Sequence, residues 1–299
     1  MSNTQKQIIF IPGAQKAGTT SMHDLISRHE HISCPRIKET HFFSDKNNFN
    51  KGLDWYLKQF DMSKQVLCEV DPSYLFYPSC SKRIKSTVKN PKFIIVFRRP
   101  IERALSHYLM SFYKGYEDLS FLDALKAESG RMKVIDNDFS MIHHSYIMRG
   151  NYSSQLNRYL SIFDRNDFLF IKFDDLISKA NNKTINNIFN FIKLDNSSLD
   201  TEISHSNRRK KIRYKLIRDL LYKDNIFRTA MKKVVASDLL RIKLKETINY
   251  LNSDKHEKDN SLSSDILDLL PNSYLKWNNK EVKSLKKITS LDLDDWLYS

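Results

Sequence analysis

One stretch constrains what this chain can fold into more than any other. Residues 8–26 read IIFIPGAQKAGTTSMHDLI. Ile8, Ile9, Phe10 and Ile11 form a short, β-branched apolar run, which predicts a buried strand. Pro12 and Gly13 stop it. Thr19, Thr20 and Ser21 then provide helix-capping hydroxyls, and Leu25 and Ile26 begin an apolar face. The intervening loop holds Gly13, Lys16 and Gly18. Unpaired backbone N–H groups at a helix N-terminus, a lysine and three hydroxyls make a cradle for a phosphate-like anion. The two glycines have the spacing of a nucleotide triphosphatase loop, but the lysine precedes the second glycine by two positions instead of following it. An ordinary glycine-containing turn is the plainer reading, and the lysine with its row of hydroxyls outweighs it.

A second unit has the same plan. Residues 93–97 are apolar and β-favouring, as expected of a parallel strand covered on both faces. Arg98 and Arg99 follow, Pro100 suits the first turn of a helix, and Ile101, Leu105, Tyr108, Leu109 and Phe112 recur at helical spacing. Arg98 and Ser106 flank the helix start, whereas Arg99 and Arg103 are expected in solvent or in ion pairs. Further strands are predicted in VLCEVDPSYLF (66–76) and at 168–171. Strands alternating with helices predict an α/β fold, with a central, mainly parallel sheet flanked by helices and P-loop-like in type. Ligands of such sheets bind at the carboxyl ends of the strands. At 299 residues with 40% hydrophobic content, one domain spanning 1–299 is the economical reading, with 195–260 a lid or peripheral helical region.

Between the two units, Lys38, Glu39 and His41 stand directly before Phe42 and Phe43 and suggest a pocket edge. Helices are expected at 51–60, 81–89, 121–128 and 185–192, a helix or helix pair broken by Gly150 at 143–163, and a loop at 130–140. A docked terminal helix is expected to be closed by Trp296. His143 and His144 have no metal-ligand partners at suitable spacing, and Cys34, Cys68 and Cys80 read as core residues, so no metal is expected. The net charge of +14 favours a polyanionic partner. No run reaches the length of a membrane span and the N-terminus lacks a signal segment, which makes a cytoplasmic protein the expectation.

Taken in order, PGAQKAGTTS, IKETHFFS, GLDWYLKQF, CEVDPSYLF, FIIVFRRPIERALSHY, RGNYSSQLNRYLSIF, FLFIKFDDL and LKKITSLDLDDWL resemble the sulfotransferases that use 3'-phosphoadenosine 5'-phosphosulfate (PAPS). The likeness is greatest to the branch holding heparan-sulfate sulfotransferases and bacterial enzymes of carbohydrate sulfation. The resemblance implies a transferase that binds PAPS, releases 3'-phosphoadenosine 5'-phosphate (PAP), and needs no metal. It implies that Gly13, Gln15, Lys16, Ala17, Gly18, Thr19, Thr20 and Ser21 hold the 5'-phosphosulfate. Arg98 and Ser106 would hold the 3'-phosphate, with Tyr146 and the loop Asn207, Arg208, Arg209 and Lys210 as further contacts. Glu39 matches the general base, with His41 the alternative, and Lys16, then Lys38, would stabilise growing charge. Gly150 in the Arg-Gly-x-Tyr stretch matches a structural glycine. The heparan-sulfate enzymes usually carry lysine where Val70 stands here. The implied acceptor is a free hydroxyl on a glycan or glycoconjugate, with a small-molecule or lipid alcohol or phenol as the alternative. A basic nucleic-acid-binding module, using a helix at 208–233, is the reading from another class. Contact of the basic patch with a membrane surface is a further expectation, and nucleic acid is not expected as a partner of the enzyme.

Overall fold

The computed structural model describes residues 6–133, 138–178, 180–197, 199–200, 211–212, 253–254, 266–267 and 269–299. The chain divides into two compact units, one of residues 1–103, 149–207 and 275–299, the other of 104–148 and 208–274.

The first unit is built on a five-stranded parallel sheet in the order β2-β3-β1-β4-β5. Its strands are β1 (Gln7–Ile11), β2 (Ile32–Ser33), β3 (Val66–Val70), β4 (Lys92–Phe97) and β5 (Phe168–Lys172). The β-branched and aromatic content explains why β1, β3 and β4 occupy the middle: all five residues of β3, and the last four of β1 and five of β4, are buried. Phe10 on β1 sits at the centre of an aromatic cluster, stacked on Phe93 at 5.8 Å and edge-on to Phe43 at 5.5 Å and Tyr74 at 6.4 Å. Burying one such ring contributes about 1.5–3 kcal/mol.

Helices α1 (Thr19–Ser27), α2 (Lys46–Phe49), α3 (Leu53–Leu57), α4 (Ser79–Thr87) and α5 (Pro100–Tyr113) follow in the first third of the chain. Then come α6 (Phe121–Arg131), α7 (Asp138–His143), α8 (Tyr152–Leu160), α9 (Phe173–Ile177), α10 (Asn182–Ile192) and α11 (Asn272–Thr289). The strands expected at 8–11, within 66–76, at 93–97 and at 168–171 all form, the second as Val66–Val70, and their parallel pairing gives the expected α/β class. The loop expected at 130–140 is instead entered by both α6 and α7. β2 is not expected from the sequence, because two residues carry no periodicity. Arg103 departs from the solvent-facing expectation: it is fully buried on α5, while Arg99 pairs with Glu102 at 2.9 Å as expected.

The terminal helix docks as expected, through polar contacts that no local pattern announces. The buried Asn278 on α11 accepts from the Ile101 N–H at 3.3 Å and donates to the Trp296 carbonyl at 2.9 Å. Trp296 is itself buried and donates to Asp174 Oδ2 at 3.0 Å. This clamps the turn that follows β4. Gly150 meets α11 so closely that an added Cβ would lie 2.9 Å from the Trp277 ring, consistent with the structural role expected for it.

In the second unit, Glu117 is buried and organises its surroundings. It accepts from both Arg131 and the Tyr146 hydroxyl, the latter at 2.9 Å, and from the Leu119 N–H at 3.0 Å. Burial pushes its carboxyl up, but the Arg131 contact, the Leu119 N–H and Tyr146 together hold it below the usual carboxylate range. A short antiparallel pair, β6 (Lys211–Ile212) with β7 (Ser253–Asp254), also belongs to this unit. Among the described residues, no helix is long and apolar enough to cross a membrane.

Candidate active site

Three segments converge at the carboxyl ends of β1, β3 and β4. The first is the loop after β1. The Ala14 N–H donates to the Val96 carbonyl at 2.7 Å and the Val96 N–H to the Gly13 carbonyl at 3.0 Å, which lashes the loop to β4. Gly18 is the N-cap of α1 with φ +85°, and an added Cβ would meet the Phe173 ring at 3.0 Å. Glycine is therefore required there twice over, by conformation and by space. Among the described residues no side chain caps α1, so its first N–H groups have no capping side chain. Lys16 also lies in the left-handed region, at φ 69°.

The second segment follows β4. Arg98 stacks over the Phe173 ring at 4.9 Å, reaches the Lys16 carbonyl at 3.5 Å and approaches Glu102 at 3.5 Å. Its backbone is fixed from behind, because the buried Tyr152 donates its hydroxyl to the Arg98 carbonyl at 2.9 Å. Among the described residues, Arg98 Nε and Gln15 Oε1 are both buried without a hydrogen-bond partner. Unsatisfied polar atoms of opposite type beside a phosphate-type loop fit a ligand carrying both charged acceptors and donors.

The third segment is Lys38 to His41. Lys38 donates to Thr20 Oγ1 at 3.0 Å, tying it to the start of α1. Glu39 and His41 both adopt positive φ, 61° and 51°, so the chain turns sharply on either side of Thr40. The turn is held from β3. Thr40 donates both its N–H, at 3.2 Å, and its hydroxyl to the buried Glu69. Burial, then the charge of Asp71, raises the Glu69 carboxyl to about 7. Asp71, also fully buried, accepts from the His41 N–H and sits 3.0 Å from His41 Nδ1. Burial alone would lower the His41 imidazole; Asp71, with help from Glu39 and Glu69, overcomes this and raises it to about 9. This favours the imidazolium form of His41 at neutral pH. The Asp71 turn joins the first segment too, through the Asp71 N–H to the Ile11 carbonyl at 3.2 Å and the Leu75 N–H to the Pro12 carbonyl at 2.9 Å. Arg158 pins the same turn by donating to the Phe76 carbonyl at 2.9 Å.

The structure therefore brings together the loop 13–21, Arg98 and the Lys38–His41 turn, all expected from sequence. Ala17 is fully buried and lends only backbone, and Thr19 is nearly so, whereas Thr20 and Ser21 remain partly exposed. Val70 is buried and adds no charge to the site. Ser106 lies partly exposed on the second turn of α5. Tyr146, expected as a further cofactor contact, is buried in the second unit and donates its hydroxyl to Glu117 at 2.9 Å. Asn207, Arg208, Arg209 and Lys210, and the basic helix expected at 208–233, lie outside the described residues. Reading the sequence missed Asp71, Glu69 and Tyr152; the two acidic residues bracketing Val70 in a strand-end turn were the one signal pointing to the first pair.

The family model described as a sulfotransferase domain matches residues 6–234, and the chain belongs to that family. Among similar curated proteins is human heparan sulfate glucosamine 3-O-sulfotransferase 3B1, 29% identical over 171 residues, which are 56% of this chain and 42% of that one. The bifunctional heparan sulfate N-deacetylase/N-sulfotransferase 1 of Caenorhabditis elegans is 26% identical over 207 residues, 66% of this chain and 23% of that one. The chain thus spans less than half the length of these relatives. In fold it resembles the crystal structure of a sulfotransferase from Alicyclobacillus acidocaldarius, with a TM-score of 0.63, 22% identity and coverage of 98% of this chain and 99% of that one.

Proposed function

We propose that this chain transfers a sulfonate group from PAPS to the hydroxyl of an acceptor, a carbohydrate or glycoconjugate. The observation that carries the proposal is the tether of the Lys38–His41 turn to the phosphate-type loop through Lys38 and Thr20, which sets a carboxylate-bearing turn beside an anion cradle. The donor, when bound, supplies a sulfonate whose bond to the 5'-phosphate already makes a good leaving group. The rest falls to the chain's residues. Gly18, Thr19, Thr20 and Ser21 hold the 5' end with N–H and hydroxyl donors at the start of α1. Lys16 offsets the charge that grows on the bridging oxygen as the bond breaks, and Lys38 assists. Arg98 suits the 3'-phosphate because its planar fork offers parallel donors, and Ser106 keeps its part in that contact through the family likeness. Glu39 accepts the acceptor's proton as the oxygen attacks sulfur in line. His41 does not compete for that role near neutral pH, because an imidazolium has no lone pair to offer. The carbohydrate acceptor rests on the names of the heparan sulfate relatives.

The test is a screen with sulfur-labelled PAPS over glycans, lipids and small alcohols or phenols. Label is expected in a glycan fraction. Label appearing only in phenols or lipid alcohols would move the acceptor class, and label in none would count against transfer altogether.

A further inference from the structure

We propose that Asp71 is a positioning residue for this reaction, holding His41 by backbone and ring so that its outer nitrogen stands as a fixed hydrogen-bond donor to the acceptor beside Glu39. The inference rests on the proposed sulfotransfer and adds to it a partner for His41 and a role other than that of base.

The geometry is specific. One carboxylate oxygen of Asp71 faces two groups of the same residue, the His41 N–H at 3.0 Å and ring Nδ1 at 3.0 Å. The other oxygen accepts the Ser73 N–H at 3.0 Å, so the carboxylate cannot rotate without losing a bond. Asp71 is fully buried, whereas the His41 side chain is 46% exposed. The ring is therefore gripped on its inner edge and open on its outer one. Nε2 has no partner among the described residues, and once Nδ1 is engaged by a carboxylate it carries a proton. Because Nδ1 and the main chain share one acceptor, the ring direction and the positive φ of His41 are set together.

The charged groups acting on the ring are Glu39 on its own turn, Glu69 on β3 and Asp71 after it. Arg149, before α8, is buried, and its charge acts on both Asp71 and Glu39. Carboxylates dominate this set, which is why the ring keeps its proton well above its ordinary range. In such a setting the imidazolium tempers the local negative charge and presents a donor to an oxygen of the acceptor next to the one that Glu39 deprotonates. A neutral ring would lose both functions together.

The folded chain binds this proton more tightly than the unfolded chain does. The resulting stabilisation is fully present below the ordinary histidine value near 6.5 and is lost as the pH rises through about 9.

The test compares the wild-type chain with Asp71→Asn, which keeps one acceptor oxygen, enough for one of the two backbone N–H groups, and removes the charge. The first readout, histidine NMR against pH, needs no acceptor. The His41 resonance is expected to titrate near 9 in the wild type and near the ordinary 6.5 in the variant. The second is the pH profile of sulfonate transfer from labelled PAPS, with heparan sulfate as the probe acceptor. At pH 8 the protonated fraction of a ring at 6.5 is about 30-fold smaller than that of a ring at 9, so the variant's rate is expected to fall about 30-fold there and to recover towards pH 6. His41→Lys in the Asp71→Asn background, which restores a cation, is expected to restore the high-pH limb. An unmoved His41 titration would overturn the proposal, as would a variant rate lowered equally at every pH. Binding of PAP by the wild type, measured alongside, separates the two readings: loss of that binding removes the sulfotransferase reading, whereas intact binding with an unmoved titration removes only the role of Asp71.

Discussion

Replacing Lys16 with alanine is expected to lower kcat/KM for sulfonate transfer about 100- to 1000-fold, roughly 2.7–4 kcal/mol of lost transition-state stabilisation. The lysine stands in the loop that lashes β1 to β4, with its carbonyl reached by Arg98. Its charge matters most while the bridging bond breaks, when negative charge gathers on the departing phosphate. The loss should therefore fall mainly on kcat, with a smaller effect on binding of the product nucleotide. Alanine retains the backbone N–H groups of the loop and leaves Gly18 in place, so the melting temperature should stay near that of the wild type. Steady-state kinetics beside thermal denaturation check this. A variant with wild-type kcat would place the critical cation elsewhere, with Lys38 the next candidate.

Replacing Glu39 with glutamine is expected to preserve PAP binding and to lower turnover by about 100- to 10,000-fold, the span of general base catalysis. Glutamine has the same shape and can occupy the same left-handed backbone position, φ 61°, but takes no proton from the acceptor. Loss of turnover with unchanged nucleotide affinity separates a base from a residue that shapes the loop. Single-turnover transfer measurements with calorimetric PAP binding distinguish the two. Full turnover by the glutamine variant would remove Glu39 from the role.

The two predictions draw on different depths of the sequence. Lys16 and its loop were legible at once, since an apolar run ended by Pro12 and Gly13 and followed by three hydroxyl residues has few ways to fold. The same holds for Arg98, which follows a strand buried along most of its length. The turn at Glu39 was legible as a cluster of ionisable groups but not as a shape. Lys16, Glu39 and His41 all take positive φ without being glycine, and no residue type signals this. What enforces the turn at Thr40 and His41 is long-range: Glu69 on β3 and Asp71 just after it lie some thirty residues away. Arg103 misled for a related reason. Helical spacing marks its neighbours as the buried face, and only tertiary packing shows that its own position is buried as well. Asn278 reaches Ile101 across most of the chain, a contact that local periodicity cannot encode.

The central claim is that the loop after β1 and the arginine after β4 belong to a site for a doubly phosphorylated adenosine. Titration with PAP, followed by calorimetry and by thermal denaturation, tests it most directly. One saturable site per chain is expected, with stabilisation of about 2.7 kcal/mol at a hundredfold excess over Kd and a rise in Tm of roughly 5 °C. Adenosine 5'-phosphate, which lacks the 3'-phosphate, should bind at least about tenfold more weakly, and Arg98→Ala should erase that difference. A flat calorimetric trace with an unchanged Tm at millimolar PAP would contradict the account.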